Sequence, residues 1–257
     1  MMDFGSIDDV VNELTLILWP MIRITAFLLA APLFSLDAVN LRIRIMIGLM
    51  LTVFTYNAIE VPYIDPISAE GLWQIMVQIF IGVIMGFILQ IVGAAVVVGG
   101  QAISNAVGLG FATMVDPNMG NVPVVAQLLV ILSTFIFLTL GGHLFVIQLL
   151  FESFTTIPIG EIPPLEQWLS ILFAWLPYIF AGALNVGLSM MTAMLLLNIG
   201  MGVVTRSAPA LNIIAVGFPA ILLVGLLALN LNIAGIVYAI QRLWSLAIQV
   251  LQSLAGA

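Results

Sequence analysis

The sequence predicts an all-α membrane protein built from long, kinked helices. Three observations carry this. The 257 residues are 63% hydrophobic and only 7% charged, against roughly 25% charged residues in a soluble domain. The mean hydropathy is +1.27, too high for a chain that must cover itself with a water-facing surface. The apolar residues fall into six runs, near 14–33, 41–59, 71–98, 124–150, 168–200 and 210–250. A spanning helix needs about 20 apolar residues, and several runs exceed that, which leaves room for tilt, kinks or projection beyond lipid. Backbone groups in lipid must be satisfied internally, so helices are the default. The alternating segments of about 10 residues that a membrane barrel needs are missing. Pro20, Pro32, Pro177, Pro219, Gly82 and Gly86 fall within the runs, and proline bends a helix by removing a donor.

The inventory also excludes chemistry. With no cysteine, neither disulfides nor thiolate metal sites are available. The five cations are all arginine, at 23, 42, 44, 206 and 242, so P-loop and Schiff-base lysines are ruled out. A net charge of -7 argues against nucleic-acid binding. No paired-carboxylate site, HExxH or GxSxG occurs, so no enzyme, cofactor or metal is expected. The acidic start MMDFGSIDDVVNEL lacks the basic stretch of a cleaved signal peptide, and none is expected.

Charge orders the loops. The N-terminal tail, the 60–70 loop and the 151–167 loop hold ten of the twelve acids and no arginine. Arg42, Arg44 and Arg206 fall on the connections at 34–44 and 201–209. The positive-inside rule places those two in the cytoplasm and the N-terminus outside.

The connection at 99–123, GGQAISNAVGLGFATMVDPNMGNVP, is the longest and is weakly polar. Long loops tend to be functional or disordered, and this one lacks the charge of a disordered segment. Asp116-Pro117 suits an ordinary turn. It equally suits the tip of a constriction, with Phe111, Met114, Val115 and Met119 as a soft seal, since methionine is flexible and a hydrophobic constriction can shut a pore by excluding water.

Other residues carry two readings. Arg23 lies inside the first apolar run, where a charge needs a partner or a wet cavity. Either it snorkels to the interface, or it meets a helix C-terminal carbonyl or an acid on another subunit. His143 is the only histidine; hydrogen-bonded structure and a relay are its two readings, and no second ionisable group sits at helical spacing. Gly82 and Gly86 form a GxxxG pattern that lets helices approach closely. Gly182, Gly187, Gly200 and Gly202 extend the idea. Asn185, Asn198, Asn212, Asn230 and Asn232 supply amides that can tie helices together across a subunit boundary.

Four stretches together carry a family resemblance: RITAFLLAAPLF with the following LRIRI, GLGFATMVDPNMGNVP, FLTLGGH, and LLLNIGMGVVTRSAPALNIIAVGFPAILLVGLL, spread from residue 23 to residue 227. In this order they resemble the FliR family of flagellar type III export-gate proteins and its injectisome counterparts. The resemblance implies a gate in the bacterial inner membrane, within the flagellar basal body. FliP-like and FliQ-like membrane proteins would be direct partners, with FlhB-like and FlhA-like export components nearby and unfolded proteins as substrates. It implies a FliP-like part at 1–167, containing the 99–123 plug loop, and a FliQ-like helical hairpin at 168–257 with TRSAPAL at its tip. The plug would comprise Gly110, Phe111, Met114, Val115, Asp116, Pro117 and Met119. Arg23, Arg206, Asn198 and Asn212 would make inter-subunit or inter-helix contacts. The gate would sit largely above the bilayer plane, as a helical hetero-oligomer. A polytopic secondary transporter is the alternative, since broken helices and an intramembrane arginine suit an anionic substrate; two related halves and acids within the spans, which that class usually shows, are missing here. A structural membrane protein without a pore is the third reading.

Overall fold

The computed structural model describes residues 7–32, 40–56, 58–59, 61–109, 123–207 and 217–255, with the side chains of 7–14, 218 and 255 left aside. The described residues form eight helices and no strand. They are α1 Ile7–Ala30, α2 Leu41–Tyr56, α3 Ala69–Val107, α4 Val124–Thr139, α5 Gly142–Thr156, α6 Leu165–Trp175, α7 Tyr178–Ser207 and α8 Phe218–Ala255.

Six apolar runs thus become eight helices, and the breaks have local causes. Gly141 separates α4 from α5 in a left-handed conformation (φ +70°), which costs glycine nothing. Pro177 separates α6 from α7, and its carbonyl accepts from the amides of Phe180 and Ala181 to start the new helix. Of the four prolines flagged in the sequence, only Pro20 lies in a helix interior. Pro32 follows the end of α1, and Pro219 sits in the first turn of α8, where a missing N–H is harmless.

The six apolar runs are not six spans. Among the described residues, three helical segments are long and apolar enough to cross a membrane: Ala69–Val107, Leu165–Ser207 and Pro219–Leu254; the broken pair α4–α5 would make a fourth. The apolar part of α1, Thr15–Ala30, falls short. So does α2, whose 16 residues reach about 24 Å against a hydrocarbon core of about 30 Å. The 39 residues of α3 reach about 59 Å at 1.5 Å per residue.

The chain divides into two compact units, the first from residues 1–90, 141–176 and 247–257, the second from 91–140 and 177–246. In the first, α1 and α3 run parallel: Arg23 meets Gln78, Ala26 lies at Gly82 and Ala30 at Gly86. Gln74, Gln78, Gly82 and Gly86 repeat every four residues, so one face of α3 makes the seam. A Cβ at Gly86 would fall 2.6 Å from that of Ala30, and one at Gly82 would collide with the carbonyl of Arg23. The helix α2 packs on α1 with Gly48 against Thr25 and Leu28. Phe80 stacks on Trp168 at 6.4 Å between centroids, and the Trp175 indole donates to the carbonyl of Ile88 at 3.1 Å.

The second unit uses the same device. Gly100 lies against Ala126 of α4, Gly99 against the carbonyl of Ala183, and Gly182 against Leu243 and Ala95. Trp244 is buried on Phe137, with centroids 4.4 Å apart, and its indole donates to Ser133 Oγ at 2.9 Å. Replacing Ser133 by alanine strands that buried donor and is expected to cost about 1–3 kcal/mol. Trp244→Phe in the same chain should relieve part of that loss, giving a measurable coupling in a double-mutant cycle of detergent-phase unfolding midpoints.

Burial grades the span candidates. It covers 61% of the apolar window in α3 and only 11% in α8. Leu223, Leu227, Leu231 and Tyr238 of α8 are all exposed, so α3 is core and α8 keeps an outward apolar surface.

Candidate functional site

The predicted plug residues Gly110, Phe111, Met114, Val115, Asp116, Pro117 and Met119 lie outside the described residues, as does Asn212. The structure does describe the frame around them, and it corrects one boundary. Residues 99–107, read from sequence as loop, are the last turns of α3. Gly99 and Gly100 are there for helix contact, not for a turn. The helix stops at Gly108 (φ +89°). The Leu109 amide donates to the Ser104 carbonyl at 3.0 Å and the Gly108 amide to the Asn105 carbonyl at 3.1 Å. This crossed pair is a Schellman stop, in which glycine takes the left-handed position. On the far side, Pro123 precedes α4 in extended conformation (φ −59°, ψ 149°), and its carbonyl accepts from Gln127 at 3.1 Å. The Gly100–Ala126 approach packs the first turn of α4 against α3 about two turns before α3 ends. Ser104, in the Schellman turn, is fully buried with no hydrogen-bond partner for its Oγ among the described residues.

Arg23 is the other feature the sequence singled out, and it is 0% exposed. Its Nε donates to Gln78 Oε1 at 2.7 Å. Nη1 donates to the Ser153 carbonyl at 2.7 Å and to Ser153 Oγ at 3.2 Å. Nη2 donates to the Ile157 carbonyl at 2.9 Å. The guanidinium lies over the Phe154 ring, 4.2 Å from its centroid. A helix C-terminus, that of α5, is thus what meets the charge. The Ser153 carbonyl also accepts from the Ile157 amide at 3.1 Å, both carbonyls stand at the negative end of the helix dipole, and a planar fork of donors can serve several acceptors at once. A central charge costs about 2.5–3.5 kcal/mol on insertion scales. Hydrogen bonds to a charged group contribute about 1.5–3 kcal/mol each, so the set outweighs the cost. Ser153 can accept from Arg23 because its own hydroxyl proton goes to the Leu150 carbonyl, 2.6 Å away. Gln78 is steadied in turn by Gln74, at 3.3 Å.

The remaining predicted residues are not drawn together. Arg206 is exposed in the last turn of α7, where a cation complements the helix dipole. Asn198 is exposed on the same helix. His143 is half-buried near the start of α5, with no partner for Nδ1 among the described residues. Among the described residues no three His, Cys, Asp or Glu side chains gather as metal ligands would. Sequence reasoning missed Gln78, Ser153, Phe154 and Ile157 as the surroundings of Arg23. The glutamine pair at four-residue spacing, in register with Gly82 and Gly86, was the available signal.

The chain matches the family described as bacterial export proteins, family 1, over residues 14–247. It is 37% identical over 224 residues to the flagellar biosynthetic protein FliR of Pectobacterium carotovorum subsp. carotovorum, covering 87% of this chain and 86% of that one. It is 36% identical over 214 residues to FliR of Escherichia coli K12, covering 83% and 82%. The FliR of Bacillus subtilis is 24% identical over 237 residues, covering 91% and 92%. A match that runs through every described helix at these identities leaves one assignment: the chain belongs to bacterial export protein family 1, the family of the flagellar biosynthetic protein FliR.

Proposed function

We propose that this chain is a subunit of the flagellar type III protein export gate, forming and sealing the pore through which unfolded flagellar substrates pass. The observation that carries this reading is the family match over residues 14–247, which takes in both the MVDP segment and the TRSAPAL segment. Helices that outrun a bilayer, and the outward apolar surface of α8, support a chain that finishes its packing against other subunits. On this reading the gate stands in the bacterial inner membrane at the flagellar basal body. FliP-like and FliQ-like membrane proteins cover the exposed helices, and FlhB-like and FlhA-like components lie beside the gate. Residues 1–167 form the FliP-like part and residues 168–257 the FliQ-like hairpin. Arg206, Asn198 and Asn212 serve contacts between subunits. Gly110, Phe111, Met114, Val115, Asp116, Pro117 and Met119 form the plug, on the segment that joins α3 to α4.

The test has two steps. The chain is co-expressed with its FliP-like and FliQ-like neighbours, purified in mild detergent and weighed by native mass spectrometry. One hetero-oligomer containing this chain is expected; a monomer or homodimer that ignores both neighbours would sink the gate reading. In cells carrying that assembly, deletion of residues 110–118 is expected to raise ion leakage across the inner membrane. Unchanged leakage would remove the plug assignment and leave the subunit assignment standing.

A further inference from the structure

The contacts of Arg23 join residues that are made far apart in time. Its acceptors follow it by 55 positions at Gln78, 130 at Ser153 and 134 at Ile157. All three lie inside the first unit, where Gln78 is 0% and Ser153 1% exposed. None of them is an acid, and the nearest acid within α1, Glu13, lies ten positions before Arg23. The apolar part of α1 runs only from Thr15 to Ala30, and Arg23 falls at its middle. Ahead of it, Asp8, Asp9 and Glu13 occupy the first turns of the same helix. The side of α1 that carries Ala26 and Ala30 is shaped to the bare backbone of Gly82 and Gly86, which does not exist until α3 has been synthesised.

We propose that α1 is a late-integrating helix. It waits at the membrane surface while α3 enters by itself, and it is drawn in only when the C-terminal end of α5 has been made and can receive the guanidinium. The order of integration is then not the order of synthesis, and Arg23 is the residue that imposes the delay. The alternative, entry of α1 as it leaves the ribosome, puts a short apolar helix with a central cation into lipid with nothing to meet it. Helix α3 needs no such help: it is 39 residues long with a mean hydropathy of 2.6 in its apolar window. This inference rests on the membrane reading of the chain, and α3 serves as its internal control.

The experiment is a pulling-force profile. An arrest peptide is placed after successive lengths of the growing chain, and release of the arrest reports each moment at which a segment is drawn into the membrane. In the native sequence a peak is expected as α3 reaches the membrane, none as α1 does, and a further one once Ile157 has emerged. In Arg23→Leu a new peak is expected as α1 reaches the membrane, and the late peak should shrink. Because the readout precedes folding, a variant that later misfolds still answers. An α1 peak in the native sequence as strong as that in Arg23→Leu would overturn the proposal, as would a profile that Arg23→Leu leaves unchanged. Loss of the α3 peak would instead sink the membrane reading, and the proposal with it.

Discussion

Arg23→Leu is expected to lower the stability of the folded chain by about 2–5 kcal/mol, the net of three lost charge-assisted acceptor groups and the relief of no longer burying a cation. The Gln78 amide oxygen and the Ile157 carbonyl would lose their Arg23 donor, and the Ser153 carbonyl would keep only the Ile157 amide. Arg23→Lys separates charge from geometry. Lysine keeps the positive charge but concentrates its donors on one nitrogen, and cannot reach acceptors spread along the edge of a plane. It is expected to be no more stable than the leucine variant. Unfolding midpoints in detergent, followed by tryptophan fluorescence, decide the matter. A lysine variant as stable as the native chain would mean that charge alone matters and that the fork of hydrogen bonds does not.

Gly82→Val should be strongly damaging, and Gly82→Ala should already cost about 1–3 kcal/mol by overpacking. Alanine gains about 1 kcal/mol of helix propensity over glycine, so a net loss can come only from the collision with the Arg23 carbonyl, Ala26 and the Phe27 amide. Backbone atoms cannot rotate away as a side chain would, and α1 has to move as a body. The shift displaces Arg23 from its acceptors, so Gly82→Ala and Arg23→Leu should combine to less than the sum of their separate losses. Gly235→Ala is the control. Nothing lies within 4 Å of a Cβ at that position, and the purified chain should be unchanged or stabilised by up to about 1 kcal/mol. Equal costs at Gly82 and Gly235 would show that the seam is not the tight contact the geometry describes.

Which features were readable from sequence follows from what each residue type can signal. Helix was legible because lipid leaves the backbone few options, and Arg23 was legible because a lone charge among leucines has to be met. Helix ends were harder to read. The run 124–150 is apolar on all sides, so no periodicity betrays the corner at Gly141, and glycine there looks the same as the glycine that packs helices at 82 and 86. The same ambiguity turned Gly99 and Gly100 into loop on paper, although they bring α3 against Ala126 and Ala183. Proline was read as a kink throughout, yet position within the helix decides its effect, and only Pro20 is interior. A helix C-terminal carbonyl was legible as the kind of partner Arg23 takes, but which helix supplies it was not, because backbone carbonyls belong to every residue and no sequence pattern marks them. The plug residues from Gly110 to Met119 lie outside the described residues, so their assignment rests on resemblance and the family match.

The length of α3 has a consequence for what hydropathy measures here. For a rod of about 59 Å to keep within about 30 Å of hydrocarbon it would have to lean about 60° from the membrane normal, beyond the 0–40° that spanning helices adopt. At the upper end of that range about 39 Å of the rod fits within hydrocarbon, so about a third of α3 lies outside it, and the apolar side chains there are kept dry by protein. An apolar letter in this sequence then records a place that water never reaches, which is a different quantity from a place that lipid does. Counting spans from such letters overstates the membrane's share and understates that of protein packing.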